Sequence, residues 1–375
     1  MSLVRNPSPW ESPYLPRPTA RMMGLTTGLL PTGPQNDICD VDGVLVGHAT
    51  VVRGEGSLVV GEGPVRTGVT AILPHGGNLF AEKVPAGLFV LNGFGKATGL
   101  AQVAELGTLE TPILLTNTLS AFRAADALIS HMIRQNPEIG ISTGTVNPVV
   151  GECNDGYLND IQGRHITQEH VVAALAGASS GPVEQGAVGA GTGVVCFGFK
   201  GGIGSASRRV EGYTLGALVQ ANFGRRGDLV IHGRPVGQKL LEYPGEEGPE
   251  PEDVPPGSIM VVLATDAPLD ARQLTRVAKR GALGLARTGG SAGNGSGDFV
   301  LAFSTRNRVK HWGDEPVETV SLLRDDSTAV DRLFLAAVEA VEEAVLNALF
   351  SARTVEGRDR RFVYSLPTGR ISAWL

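Results

Sequence analysis

Between Pro244 and Gly257 the chain packs five prolines, three glycines and five carboxylates into fourteen residues. Such a segment cannot propagate a helix, enter the middle of a sheet or build a core, because proline removes backbone donors and the acids resist burial. The next seven residues, Ser258-Ile259-Met260-Val261-Val262-Leu263-Ala264, form a continuous apolar run of the kind buried on both faces of a sheet. An interior strand thus begins on the residue where an acidic linker stops. The Gly257–Ser258 bond can be cut without dismantling such a fold, and cutting it leaves a hydroxyl and a free α-amine on one residue. That is the chemistry of a self-processing hydrolase. An ordinary surface loop ahead of a strand explains the stretch equally well when it is taken alone, so the rest of the chain must decide.

With 375 residues, 42% of them hydrophobic, the chain can form one large or two ordinary domains around a substantial core. Its 51 glycines are about twice the usual ~7% share, which implies many tight turns and close backbone contacts. A net charge of −6 without a basic stripe argues against nucleic acid as a partner. Cys39, Cys153 and Cys196 are far apart and form no CxxC pair, so they read as reduced core thiols or at most one bridge. No histidine spacing suggests a metal site, and no cofactor is expected. The N-terminus lacks the apolar core of a signal peptide, and no run approaches the ~18 apolar residues of a membrane span. A cytoplasmic protein with no membrane partner is the expectation.

Residues 1–36 read as an extended Pro- and Arg-rich arm suited to packing on a neighbouring subunit. Short β-prone runs follow at 43–52, 58–61, 68–73 and 88–91. Helices are expected over 119–135, from a Thr167 cap to about 176, from Asp266 and Pro268 to about 287, and over 328–350. Strands are expected at 214–219, 228–231 and 299–304. No repeat appears, and the acidic linker over 244–257 is the one clear break. Helices packed outside stacked strand layers are the natural architecture.

The glycine clusters raise nucleotide binding first, but Gly186–Gly204 holds neither GxGxxG nor GxxxxGK[ST] in frame. Asn92-Gly93-Phe94-Gly95-Lys96-Ala97 lacks the upstream glycine and the Ser/Thr of a P-loop. Two matches to G-x-S-x-G, at Ser179 and Ser291, follow helices instead of strands, so neither fits a nucleophile elbow. The loop 289–298 is more informative. It can carry Ser296 and Asp298 to the first residue of another strand, where a nucleophilic serine needs a proton acceptor and a group to orient it. The α-amine of a terminal Ser258, with a reference pKa of about 7.7–8.0, can serve as base. Ser296 can relay the proton, Asp298 can hold the ammonium or hydroxyl, and the Asn222 amide can stabilise an oxyanion. Each of these residues read alone is an ordinary turn or loop residue.

Several motifs in order resemble one family. Gly257-Ser258-Ile259-Met260-Val261-Val262, Thr265-Asp266-Ala267-Pro268 and Gly295-Ser296-Gly297-Asp298 resemble the DmpA-type self-processing serine aminopeptidases, the L-aminopeptidase/D-amino-acid esterase and β-aminopeptidase group. Val149–Asp160, Gly189–Gly204 and Leu115-Thr116-Asn117-Thr118 are similar as well, so the likeness spans nearly the whole chain. The resemblance implies an α+β fold: one domain over 1–375, a four-layer α-β-β-α sandwich layered like the N-terminal-nucleophile hydrolases but connected differently. It implies cleavage at Gly257–Ser258 into subunits 1–257 and 258–375 that stay associated, and a homo-oligomer of such heterodimers. Ser258 would be the nucleophile, Ser296 and Asp298 its supporting pair, and Asn222 the oxyanion donor. Some members carry glutamate where Asp298 stands. Glu152 would grip the substrate's ammonium, with Tyr157 and Asn117 completing the substrate site. The implied substrates are small peptides, amides or esters with a free N-terminal amine, of L-α, D-α or β type. An uncut binding protein of the same fold and an acetyl-transferring relative that processes at threonine are the alternatives.

Overall fold

The computed structural model describes residues 17–242, 250–251, 257–313 and 315–374. Two sheets lie face to face, each covered on its outer side by helices. The larger, seven-stranded sheet runs in the order Val309–Lys310, Glu82–Gly93, Gly297–Ser304, Ser258–Thr265, Tyr213–Asn222 and Gly202–Val210, with Thr108–Leu109 added alongside Glu82–Gly93. The four-stranded sheet runs Leu45–Arg53, Val65–Leu73, Ile113–Asn117 and Val149–Cys153. Helices Ala271–Arg287 and Thr328–Phe350 pack on the first sheet, and Ala121–Gln135 and Gln168–Ala176 on the second. This is the α-β-β-α sandwich expected from the sequence.

The strand Ser258–Thr265 shows why its sequence is apolar throughout. Ile259, Val261 and Leu263 join the core between sheet and helices, while Met260, Val262 and Ala264 join the core between the two sheets. Alternation sends successive side chains to opposite faces, and here both faces are dry. Each of the larger side chains contributes roughly 1.5–3 kcal/mol through burial. Its neighbours are Tyr213–Asn222, antiparallel, and Gly297–Ser304, parallel.

Three boundaries differ from the sequence expectation. The helix expected from Asp266 begins at Ala271, because Asp270 and Gln273 form a reciprocal capping box, while Asp266 accepts a hydrogen bond from the Thr214 N–H. The run 58–61 is a turn with a single bridge between Val59 and Gly63, held by Asp359 and Asp160. The run 228–231 is the end of a 3-10 turn, Arg226–Asp228, and one bridge to Arg234.

Residues 1–16 of the expected arm, and 244–249 and 252–256 of the expected linker, lie outside the described residues. Residues 17–36 pack on the chain's own long helix. Arg208 is fully buried and bonds Glu339 and Glu343, one helical turn apart. The arm completes this cluster: Arg21 pairs with Glu343, and the N–H groups of Leu29 and Leu30 donate to Glu339. Buried charges persist only when paired and hydrogen-bonded, which explains what the arm recognises. All three cysteines are buried and free. Among the described residues no helix is long and apolar enough to cross a membrane, and no cluster of His, Cys, Asp and Glu could hold a metal.

Candidate active site

Ser258 opens its strand directly opposite Asn222 on one side and Gly297 on the other. The register therefore brings three separated stretches to one strand end. Gly257 is needed there for space: a Cβ on it would lie 2.6 Å from both the Asn222 carbonyl oxygen and the Phe223 Cα. Close approach is what requires the glycine.

Asp298 lies one step along the ladder, across from Ile259. Ser296 donates its hydroxyl to Asp298 Oδ1 at 2.6 Å, and Oδ2 is buried without a hydrogen-bond partner. Burial raises the Asp298 pKa above the ordinary carboxylate range, opposed by the Ser296 hydroxyl and the Ile259 N–H. That N–H is one peptide unit from the nitrogen of Ser258, which a cut at Gly257–Ser258 would convert to an α-amine. Asn222 Oδ1 accepts from the Val195 N–H at 2.9 Å, which leaves the amide's NH2 to the cavity that Asn222 lines. The cavity, about 920 Å³, is bounded also by Gly257, Ser296, Asp298 and the loop 291–295.

Glu152 reaches this end of the sheet from the facing layer. Its neighbour Gly151 packs against the Met260 side chain, where a Cβ would come within 2.4 Å of Cε, and Cys153 Sγ lies 3.4 Å from the Gln220 carbonyl oxygen. Only 3% exposed, the Glu152 carboxylate has both oxygens engaged. Oε1 accepts from the Lys96 N–H at 2.8 Å and Oε2 from the Thr118 hydroxyl.

Asn117 is tied up in holding the chain: it accepts from the Ser120 N–H and donates to Thr67 Oγ1. It thereby shapes the turn that presents Thr118 to Glu152. Tyr157 stands further off, against the cluster of Leu158, Val195 and Val363, with the Arg361 guanidinium 4.8 Å from its ring centre. It reaches the cavity wall through Val195.

Two contributors escaped sequence reading. Thr118 ends the motif Leu115-Thr116-Asn117-Thr118 but had no role of its own there, and that role appears only when the Ile113–Asn117 and Val149–Cys153 strands pair. Lys200, fully buried, donates to the carbonyls of Gly191, Val194 and Gly201 at 2.7–2.9 Å. Burial lowers its pKa to about 7. It fastens the turn whose Val195 N–H orients Asn222, and a lone lysine among glycines was its only trace in the sequence.

The layering is that of the N-terminal-nucleophile hydrolases, and a candidate nucleophile stands at the head of a central strand. The model of peptidase family S58 matches residues 36–363. The β-peptidyl aminopeptidase BapA of Sphingosinicella xenopeptidilytica is 41% identical over 95% of this chain and 90% of its own length. A crystal structure from Pyrococcus horikoshii OT3 superposes with a TM-score of 0.89 at 54% identity, covering 95% of this chain and 98% of that one. The L-aminopeptidase D-Ala-esterase/amidase of Ochrobactrum anthropi, described as a new variant of the Ntn hydrolase fold, gives 0.86 at 40% identity over 96% and 98%. The chain belongs to peptidase family S58, and it is an aminopeptidase.

Proposed function

We propose that this aminopeptidase matures by cutting its own Gly257–Ser258 bond and then uses Ser258 as an N-terminal nucleophile. In the uncut chain Ser258 Oγ attacks the Gly257 carbonyl carbon. As the C–N bond breaks, the hydroxyl proton passes to the departing nitrogen. The resulting ester is hydrolysed by water, which frees the Gly257 carboxylate and the Ser258 hydroxyl and amine. Subunits 1–257 and 258–375 remain associated. In turnover the α-amine takes the Oγ proton, Oγ attacks the carbonyl of the substrate's first residue, and the leaving amine receives the proton. Water then hydrolyses the acyl-enzyme.

Asn222 donates to the developing oxyanion, a contribution of the kind worth about 10²–10³ in kcat. Ser296 and Asp298 hold the terminal amine, and Glu152 counts off one residue by binding the substrate's ammonium. Being nearly closed off from water matters for Glu152, because an exposed ion pair is worth only ~0–1 kcal/mol. The substrates are short peptides, amides and esters with a free N-terminal amine. The relative named for β-peptides favours a pocket that also accepts β-amino acids. The working form is a cytoplasmic homo-oligomer of cut heterodimers.

One observation carries this reading: a buried carboxyl oxygen without a partner, on the residue paired with Ile259. Intact mass and N-terminal sequencing test it, on the parent and on Ser258→Ala. Two fragments, the smaller starting Ser-Ile-Met-Val, with the variant uncut and its turnover down by more than about a thousandfold, are expected. A single stable 39.1 kDa chain in both would end the proposal.

A further inference from the structure

The stretch Asn92–Ala97, which fails as a phosphate loop, runs from one half of the site to the other. Asn92 stands at the end of the Glu82–Gly93 strand, opposite Asp298, at a register shift in that ladder. Its Nδ2 lies 3.0 Å from the Gly293 carbonyl oxygen, 3.2 Å from that of Asn294 and 2.5 Å from that of Ser296. Two residues on, the Phe94 N–H also donates to the Ser296 carbonyl, and the Lys96 N–H holds Glu152. Between them Gly95 lies against Gly297, where a Cβ on Gly297 would come 2.8 Å from the Gly95 Cα.

The loop that Asn92 holds needs holding. Five of the nine residues from Gly289 to Gly297 are glycine, so the free loop has large conformational entropy. Its own closure is modest: the Ser296 N–H donates to the Gly293 carbonyl. Two amide hydrogens facing three carbonyls fix this turn at the residue whose hydroxyl bonds Asp298. No other side chain of the Glu82–Gly93 strand bonds this loop among the described residues.

We infer that Asn92 is a positioning residue: it acts through Ser296 to set the Ser296–Asp298 pair against the head of the nucleophile strand. The inference rests on the roles given to Ser296 and Asp298 above. It concerns orientation and not affinity, so kcat should change while KM does not. A misplacement of about 1 Å can cost ~10²-fold in rate. Because Asn92 is only half-buried at a sheet margin, its replacement leaves the core intact.

The test compares Asn92→Ala, Asn92→Asp, Ser296→Ala and Asn92→Ala with Ser296→Ala, using alanine and β-alanine p-nitroanilides and rates normalised to cut chain. For Asn92→Ala we expect kcat to fall at least about tenfold with KM within about twofold and an unchanged melting temperature. Asn92→Asp, which sets a carboxylate against three carbonyl oxygens, should fall further. In the Ser296→Ala background the added loss should be less than about twofold, since residues acting as a unit are non-additive. A parental kcat in Asn92→Ala, or the same loss in both backgrounds, overturns the inference. If Ser296→Ala itself turns over like the parent, the assigned pair fails and this inference fails with it. Loss in Ser296→Ala with none in Asn92→Ala removes Asn92 alone.

Discussion

The two carboxylates of the site are built in opposite ways. Asp298 sits in the ladder beside the nucleophile strand, takes one hydrogen bond from Ser296 and keeps a buried oxygen unpartnered. Glu152 sits at the margin of the other sheet with both oxygens already occupied, by the Lys96 N–H and the Thr118 hydroxyl. An unsatisfied buried acid is costly unless a cation or donor arrives, whereas a satisfied one is held ready in a fixed orientation. The difference suits the roles proposed above, Asp298 for a new terminus at Ser258 and Glu152 for a group brought from outside.

Removing the Asp298 charge is the hardest blow to that contrast. Asp298→Asn should slow self-cleavage and turnover together, each by about 10²-fold or more, as expected for a group that positions the Ser258 nitrogen, the leaving group of one reaction and the base of the other. A pH series on the uncut parent sharpens the point. Because burial raises the Asp298 pKa, the carboxylate is lost as pH falls through a value above the usual ~4, and self-cleavage should slow there. Time courses by gel at stepped pH would show this, and the same acid limb surviving in Asp298→Asn would refute it.

Glu152→Ala should separate the two acids cleanly. Self-cleavage proceeds at the parental rate, while kcat/KM for amino-acid amides falls by about 10²-fold, the scale of losing one charge-assisted contact of about 1.5–3 kcal/mol. Retained turnover would take Glu152 out of the account. Thr118→Val keeps the shape and removes the hydroxyl, so a smaller change is expected, about three- to tenfold in KM with kcat preserved. An unchanged KM would mean that Thr118 does not hold Glu152 during catalysis.

The sequence was most legible where the physics is local. An apolar run bounded by a Pro- and acid-rich stretch announces a buried strand, and the helix at 328–350 follows its apolar pattern from end to end. Ser258, Asn222, Ser296 and Asp298 could be named because each lies at the head or tail of a recognisable strand. Their meeting depends on a register that no single stretch contains. Asn92, Thr118 and Lys200 stayed hidden for that reason: their partners are separated by pairings between strands, and an asparagine after a strand looks like any other. Asn117 entered as a substrate contact through its motif alone, and the bonds its amide makes to Thr67 and the Ser120 N–H could not be read there. The hold on residues 17–36 was not legible because the charges that attract them, Arg208, Glu339 and Glu343, lie far along the chain and wholly out of water.

That arm and the strand order together have a consequence for the mature molecule. Read by position relative to Gly257, the large sheet alternates ownership: Glu82–Gly93 from before the bond, Gly297–Ser304 and Ser258–Thr265 from after it, then Tyr213–Asn222 from before it again. Residues 17–36 from the first part also grasp a helix of the second. On the cut proposed above, two pieces interleaved in this way would have folded as one chain, with every partner tethered. If the proposed cut severs the tether, unfolding becomes dissociation, and recovery requires a second-order encounter of two fragments, neither of which holds the large sheet complete. The clip that would free the nucleophile would also make folding a one-time event, with the lifetime of the enzyme governed by how slowly it comes apart.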